Sequence, residues 1–229
     1  RKEFPAFLRD DAIKQMVSMR AKFVTYHAYA RATMSQLLTK EQLANAWIGK
    51  ATNFNSSFIR NDGNGKFSIT PLPWIAQQSA LNGMIVEDFN NDGNLDVAIN
   101  TNDYGTNVSI GRYDALNGLI LLGDGKGSFR PLSILESGLF VERNGKALVK
   151  FRSAAGEYLL AASQNKGPLK LFKLKKPGVM ILAGNSAVEA LFDLPDGRKQ
   201  KHELYGSSFL SQSAKFIIMG GGAKWREHP

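Results

Sequence analysis

The 229 residues contain no cysteine, which excludes a disulfide framework, thiolate metal ligation and a cysteine nucleophile. No stretch approaches the roughly 18 consecutive apolar residues that a membrane-spanning helix needs, so no transmembrane segment is expected. Histidine is scarce: His27, His202 and His228 share neither metal-ligand nor catalytic-triad spacing. The net charge is +9, yet no run of basic residues exceeds three. That dispersal suits a solvated surface better than a nucleic-acid tract, and nucleic acid is not expected as a partner. The sequence does not open with methionine, and Arg1-Lys2-Glu3-Phe4-Pro5 does not open a signal peptide. The chain therefore reads as a piece of a longer protein whose targeting segment would lie upstream.

What is present supports a folded chain, since 43% of residues are hydrophobic and 21% charged, too apolar a mixture for disorder. From Asp10 to Ala46 the pattern is helical. Ala12, Ile13, Met16, Val17, Met19 and Phe23 recur at helical spacing, with neither Gly nor Pro between Ala6 and Trp47. Two or three helices are predicted. Thr39 followed by Gln42 makes a capping box that starts the last of them. Met16, Met19, Phe23, Tyr26, Tyr29 and Met34 are read as core.

After Ala46 the texture changes to short runs of Phe, Ile, Leu and Val punctuated by Asn, Gly and Asp, the pattern of strands joined by tight turns. Strands are predicted near 54–60, 66–71, 82–87, 95–100, 117–122, 128–134, 147–151, 157–162 and 169–174. The segment also echoes itself. Phe58-Ile59-Arg60-Asn61-Asp62-Gly63-Asn64-Gly65-Lys66-Phe67 returns as Ile120-Leu121-Leu122-Gly123-Asp124-Gly125-Lys126-Gly127-Ser128-Phe129, with the aspartates 62 residues apart. A weaker echo places Glu157 to Ala161 at 61 residues after Asp96 to Asn100. A period near 60 with about four strands per unit suits propeller blades. Beyond Lys175-Lys176-Pro177-Gly178 the echo stops, and strands near 179–183, 187–194, 199–204 and 215–219 form a small β module, with Pro195 to Arg198 as a hairpin turn. The division is thus a helical segment 1–46, β-propeller blades 47–176 and a β module 177–229. The fold class is mainly β: the C-terminal blades of a propeller, with an N-terminal helical segment and a small C-terminal β module.

One loop carries chemistry. Asp88-x-Asn90-x-Asp92-Gly93-x-x-Asp96 sets side-chain oxygens at alternate positions, a glycine at the sharp turn and a closing carboxylate. Calcium takes about 6–8 oxygen ligands, and this spacing lets one short loop supply most of them: Asp88, Asn90, Asp92 and Asp96 by side chain, Asn94 by its carbonyl. An EF-hand is excluded, because loop position twelve is Ile99 and the flanking runs Met84-Ile85-Val86 and Leu95-Val97-Ile99 favour strands. The competing reading is a plain Asp-Gly turn with solvated acids. The Gly123-x-Gly125-x-Gly127 run lacks the Lys-Ser/Thr ending of a phosphate loop and reads as a hairpin. Residues 101–117 form a long polar insertion in which Tyr104, Arg112, Tyr113 and Asp114 are candidate ligand-binding groups. A loop that simply packs on its neighbour is the alternative.

These motifs support a resemblance. The segment from Met84 to Asn100, followed by Gly118 to Phe129, resembles the integrin-type FG-GAP or VCBS repeat, whose blades carry a D-x-[DN]-x-D-G-x-x-D calcium loop. The tail from Pro195 to Ser213 is similar to the ASPIC/UnbV module that follows such repeats. The resemblance implies bound calcium, a protein or glycan partner, upstream blades that complete the ring, and no enzymatic activity. It also implies an extracellular, cell-surface or periplasmic location, reached through an upstream signal or lipoprotein anchor. The last repeat, around Glu142 to Lys146, lacks carboxylates and carries no second site. Two rival classes are an enzyme acting on polysaccharide from a propeller scaffold, which needs two carboxylates about 5–9.5 Å apart in a cleft, and a polyanion binder using the basic start, where residues 1–50 hold nine Lys/Arg against four Asp/Glu.

Overall fold

A computed structural model describes residues 2–108, 110–184, 187–204, 207–208, 211–220 and 224–228. The chain divides into two compact units, Arg1–Phe54 and Asn55–Pro229.

The first unit is helical, but its helices are shorter and more numerous than the periodicity predicts: α1 Arg9–Gln15, α2 Met19–Lys22, α3 Tyr26–Ala30, α4 Met34–Leu37 and α5 Lys40–Leu43. Threonines mark three of the four breaks. Thr25, Thr33 and Thr39 adopt extended backbone and each starts a new helix as its N-cap, a role their hydroxyls fill better than a mid-helix position. The Thr39 box forms as expected, with Gln42 N–H donating to Thr39 Oγ1 at 3.3 Å and Thr39 N–H to Gln42 Oε1 at 2.9 Å. Met19, Phe23, Tyr29 and Leu37 share a core with Ala12 and Ala32, and Met16 and Met34 pack on its margin. Tyr26 lies outside it, exposed, its hydroxyl donating to Asp10 Oδ2 at 2.7 Å.

The second unit is β-rich. In order it holds β1 Ser57–Gly63, β2 Lys66–Pro71, a 3₁₀ turn Trp74–Gln77, β3 Leu81–Glu87, β4 Asp96–Thr101, β5 Leu119–Gly123, β6 Phe129–Leu132, a short helix α6 Ile134–Ser137, β7 Gly145–Arg152, β8 Tyr158–Gln164 and β9 Lys170–Lys173. It continues with β10 Val179–Leu182, β11 Glu189–Asp193, β12 Lys199–Glu203, β13 Ser207–Ser208, β14 Ser211–Gln212, β15 Phe216–Met219 and β16 Lys224–His228. The sheets are β1-β2, β3-β4-β5-β6, β7-β8-β9, β10-β15, β12-β11-β16 and β13-β14, every pair antiparallel. The molecule is mainly β, and among the described residues no sheet closes into a barrel. The two segments that echo each other in sequence form the β1-β2 and β5-β6 hairpins, and β4 and β8 are each the second strand of a sheet.

Sheet β3-β4-β5-β6 meets sheet β7-β8-β9 through a core of Ile85, Ala98, Leu148, Tyr158, Leu160 and Ala162, to which β15 adds Phe216 and Ile218. Asparagine amides, Asn100 buried and Asn82 half-buried, stitch the same seam. Asn100 Nδ2 donates to the carbonyls of Ala147 and Ser163, both at 2.9 Å, and Asn82 Nδ2 to those of Asn102 at 2.8 Å and Gly145 at 2.7 Å. Paired in this way, edge carbonyls avoid the cost of burial without a partner. In the C-terminal part, Ile181, Ala187, Ala190, Phe192, Leu204 and Ile217 form a separate core. The Pro195 to Arg198 turn joins β11 to β12 as predicted, with Gly197 at a φ of 84° and Leu194 N–H donating to Arg198 O at 2.8 Å.

Candidate functional site

The Asp88 to Asp96 loop connects β3 to β4, so its ends are held where Glu87 pairs with Asp96 across the ladder. Two of its residues take left-handed backbone, Asn91 at a φ of 62° and Gly93 at 80°, the conformations that Asn and Gly tolerate best. Asp88 and Asp96 are buried, while Asn90 and Asp92 are exposed and Asn94 is half-buried. The loop closes on its own amides. Asp88 Oδ1 accepts from Asp92 N–H at 3.1 Å and Oδ2 from Gly93 N–H at 2.8 Å. Asp96 Oδ2 accepts from Phe89 N–H at 3.0 Å and Oδ1 from Gly123 N–H at 2.9 Å. Asn94 N–H donates to Asp92 Oδ1 at 2.8 Å, and Asn90 Nδ2 to Asp92 Oδ2 at 2.9 Å.

These bonds do not offset the loss of water. Burial pushes the Asp88 carboxyl above the ordinary range and Asp96 up to about 6, and the neighbouring Asp92 carboxylate raises both further. Among the described residues no Lys or Arg forms an ion pair with Asp88, Asp92 or Asp96. The donor set is all oxygen and suits a hard divalent cation in its chemistry. The placement of the side chains is another matter: among the described residues no three His, Cys, Asp or Glu are gathered to hold a metal ion. Each carboxylate oxygen that accepts an amide keeps a second lone pair for another partner.

The loop is braced by the C-terminal strands. Asn91 Nδ2 donates to Lys176 O at 3.1 Å, and Gln200 Nε2 to Gly93 O at 3.4 Å. Arg198 spans the gap, its Nη1 donating to Asn94 Oδ1 at 2.5 Å while Nε meets Asp196 Oδ2 at 2.5 Å. A cavity of about 240 Å³ opens between Asp88, Asp92, Phe192, Leu194 and Met219.

In the 101–117 insertion, Asp103 and Tyr113 exchange backbone hydrogen bonds of 2.9 Å in both directions and pinch the loop at its base. The Arg112 guanidinium lies over the Tyr104 ring, 4.8 Å from its centre, so these two candidates come together and occupy each other. Tyr113 and Asp114 are exposed. The base is anchored by Ser79, whose hydroxyl donates to Tyr113 O at 3.0 Å, and by a 2.9 Å ion pair between Lys146 and Asp103.

One polar cluster escapes the sequence reading. Glu87 is fully buried, with Oε1 paired to the Lys150 ammonium and Oε2 accepting from Ile218 N–H at 3.4 Å. Burial raises the Glu87 carboxyl, against the pull of Lys150. The Tyr158 hydroxyl beside it has no hydrogen-bond partner among the described residues and is pushed well above its usual value by burial and by Glu87. The available signal was the alternation in Leu81–Glu87, which puts Gly83, Ile85 and Glu87 on the inward face and so aims a carboxylate into the core. No family model matches the chain, and no curated protein matches it.

Proposed function

We propose that the chain is a calcium-stabilised, non-enzymatic binding scaffold that presents a surface to a protein or glycan partner outside the cell. In this reading β3-β4-β5-β6 and β7-β8-β9 are propeller blades of the FG-GAP or VCBS kind and residues 177–229 an ASPIC/UnbV-like module. The observation that carries it is the pair of buried carboxylates, Asp88 and Asp96, sharing one nine-residue loop with Asp92 and no cationic side chain. A bound divalent ion supplies the missing positive charge. Asp88, Asn90, Asp92 and Asp96 would hold it by side chain and Asn94 by its carbonyl. The Arg198 contact on Asn94 Oδ1 steadies the loop from outside.

The role assigned to the ion is structural. Its ligands come from one continuous hairpin loop whose oxygens are oriented by amides, an arrangement that fixes geometry and moves no protons. The partner surface is the exposed part of the 101–117 insertion, where Tyr113 and Asp114 offer stacking and hydrogen-bonding groups beside the paired Tyr104 and Arg112 on a pinched, anchored loop.

Thermal unfolding in chelator and in millimolar calcium tests the reading. A ligand that binds only the folded state stabilises it by about 2.7 kcal/mol at a hundred times its dissociation constant, so the melt of the β unit rises by several degrees. Asp92→Ala abolishes the rise. An unchanged wild-type melt overturns the proposal, and full stability of Asp92→Ala with loss of a hydrolytic or lyase activity would make the ion catalytic.

A further inference from the structure

The hairpins β1-β2 and β5-β6 are the same hairpin built twice, and only one of them is complete. Phe58 pairs with Thr70, Ile59 with Ile69, Arg60 with Ser68 and Asn61 with Phe67. Ile120 pairs with Leu132, Leu121 with Pro131, Leu122 with Arg130 and Gly123 with Phe129. Each pair in the second set lies 62 residues after its counterpart in the first, so the sequence echo extends to strand register. Their surroundings differ. The far edge of β5 carries β4, with Val97 opposite Leu121, Ala98 opposite Ile120 and Ile99 opposite Leu119. Among the described residues nothing pairs with the far edge of β1.

The faces differ in the same sense. Leu121 is 1% exposed, packed among Ile99, Leu119 and Ala76, and Phe129 is partly buried. Their counterparts Ile59 and Phe67 are 59% and 62% exposed, and Ile69, directly opposite Ile59, is 55% exposed. The other face of the hairpin is seated, because Phe58 meets Phe129 edge-on with ring centres 5.5 Å apart. The apolar face is therefore the free side of an anchored element. Arg60 and Asp62 pair at 2.6 Å, and together with the irregularity at Asn61 to Gly63 they confine the open stretch of the edge to Ser57, Phe58 and Ile59. An unpaired edge beside an exposed apolar face is what a sheet uses to recruit another strand.

We infer that β1 takes an antiparallel strand from a partner polypeptide, with an apolar residue set opposite Ile59 as Val97 is set opposite Leu121, and that the same partner covers Ile59, Phe67 and Ile69. The buried twin fixes the chemistry of the occupant: a β-strand with apolar residues on alternate positions, as in Val97 and Ile99, and neither a glycan nor a nucleic acid. Main-chain bonds to the edge give affinity, and the face occupied by Ile59 and Ile69 selects alternate side chains of the added strand. Nothing in this inference depends on the ion, so the calcium melt and the test below fail separately.

The probe is a peptide of residues 94–102, the chain's own β4, added to the isotope-labelled full chain. The inference expects the amides of Ser57 to Ile59 to shift and to gain protection from hydrogen exchange. Ile59→Lys, at an exposed position that leaves the melt unchanged, weakens binding at least tenfold. Absence of any response in the β1 amides at millimolar peptide overturns it. So does a wild-type chain that is already dimeric with those amides protected and becomes monomeric on Ile59→Lys, since the edge then belongs to a second copy.

Discussion

A β-carbon on Gly145 would lie 2.6 Å from the Thr101 carbonyl oxygen and within the side chain of Asn100, and one on Gly83 would lie 2.8 Å from the Lys146 carbonyl oxygen. Both glycines sit where β3 and β4 meet β7, and the approach they permit lets the Asn82 and Asn100 amides reach across. Gly145→Ala therefore overpacks the seam, and urea unfolding of the β unit should show a loss of about 1–3 kcal/mol or more. His202 supports a second prediction at this scale. It is buried in β12, edge-on to Phe192 at 5.1 Å with Nε2 3.1 Å from Gln200 Oε1, and burial, helped by the charge of Lys150, lowers its pKa to about 4. The folded pKa lies below the unfolded value of about 6.5, so the unfolded chain takes up the proton first as pH falls. The contribution is complete above about pH 6.5 and is lost progressively down to about pH 4, by roughly 3 kcal/mol in all. Urea titrations at pH 7.5 and pH 4.5 should show that part of the acid loss in the wild type and not in His202→Phe.

Between elements, the Glu87 and Lys150 pair ties β3 to β7 beneath the candidate loop. Removing one partner from a buried pair strands the other charge, at about 3–5 kcal/mol, whereas replacing both is often near neutral. Lys150→Met should thus be severely destabilised and Glu87→Gln with Lys150→Met largely restored, as equilibrium unfolding would show. This pair also marks the limit of what the sequence discloses. Strands such as Leu81–Glu87 and Tyr158–Gln164 are legible as short apolar runs bounded by turn residues, and the Asp88 to Asp96 loop because its spacing is local. The partner of Glu87 is 63 residues away, and no periodicity carries that distance. The same holds for Arg198 on Asn94, 104 residues apart. β16 was missed for another reason: Lys224–His228 has no apolar alternation, and it becomes a strand by pairing with β11. In α1 to α5 the error ran the other way, since helical spacing persisted through Thr25 and Thr33, where new helices start; only the start at Thr39 was legible, from its capping box.

At the scale of the whole chain, every buried cluster among the described residues lies on one side of the Phe54 and Asn55 boundary. The first unit relies on one such cluster. Its longest helix, α1, has seven residues, far below the roughly 12–15 at which an isolated helix becomes even marginal in water, so its helices persist only while that cluster is intact. A unit of this size also buries a smaller fraction of its surface than a larger one. The second unit holds three clusters and the asparagine seam. Calorimetry of the full chain should therefore resolve two transitions, a smaller one at lower temperature from residues 1–54 and a larger one from 55–229. Residues 55–229 produced alone should melt within a few degrees of the larger transition, and any shift caused by calcium should fall in that transition only. A single transition in the full chain, together with an unfolded 55–229 fragment, would show that the β unit requires the helical one to fold.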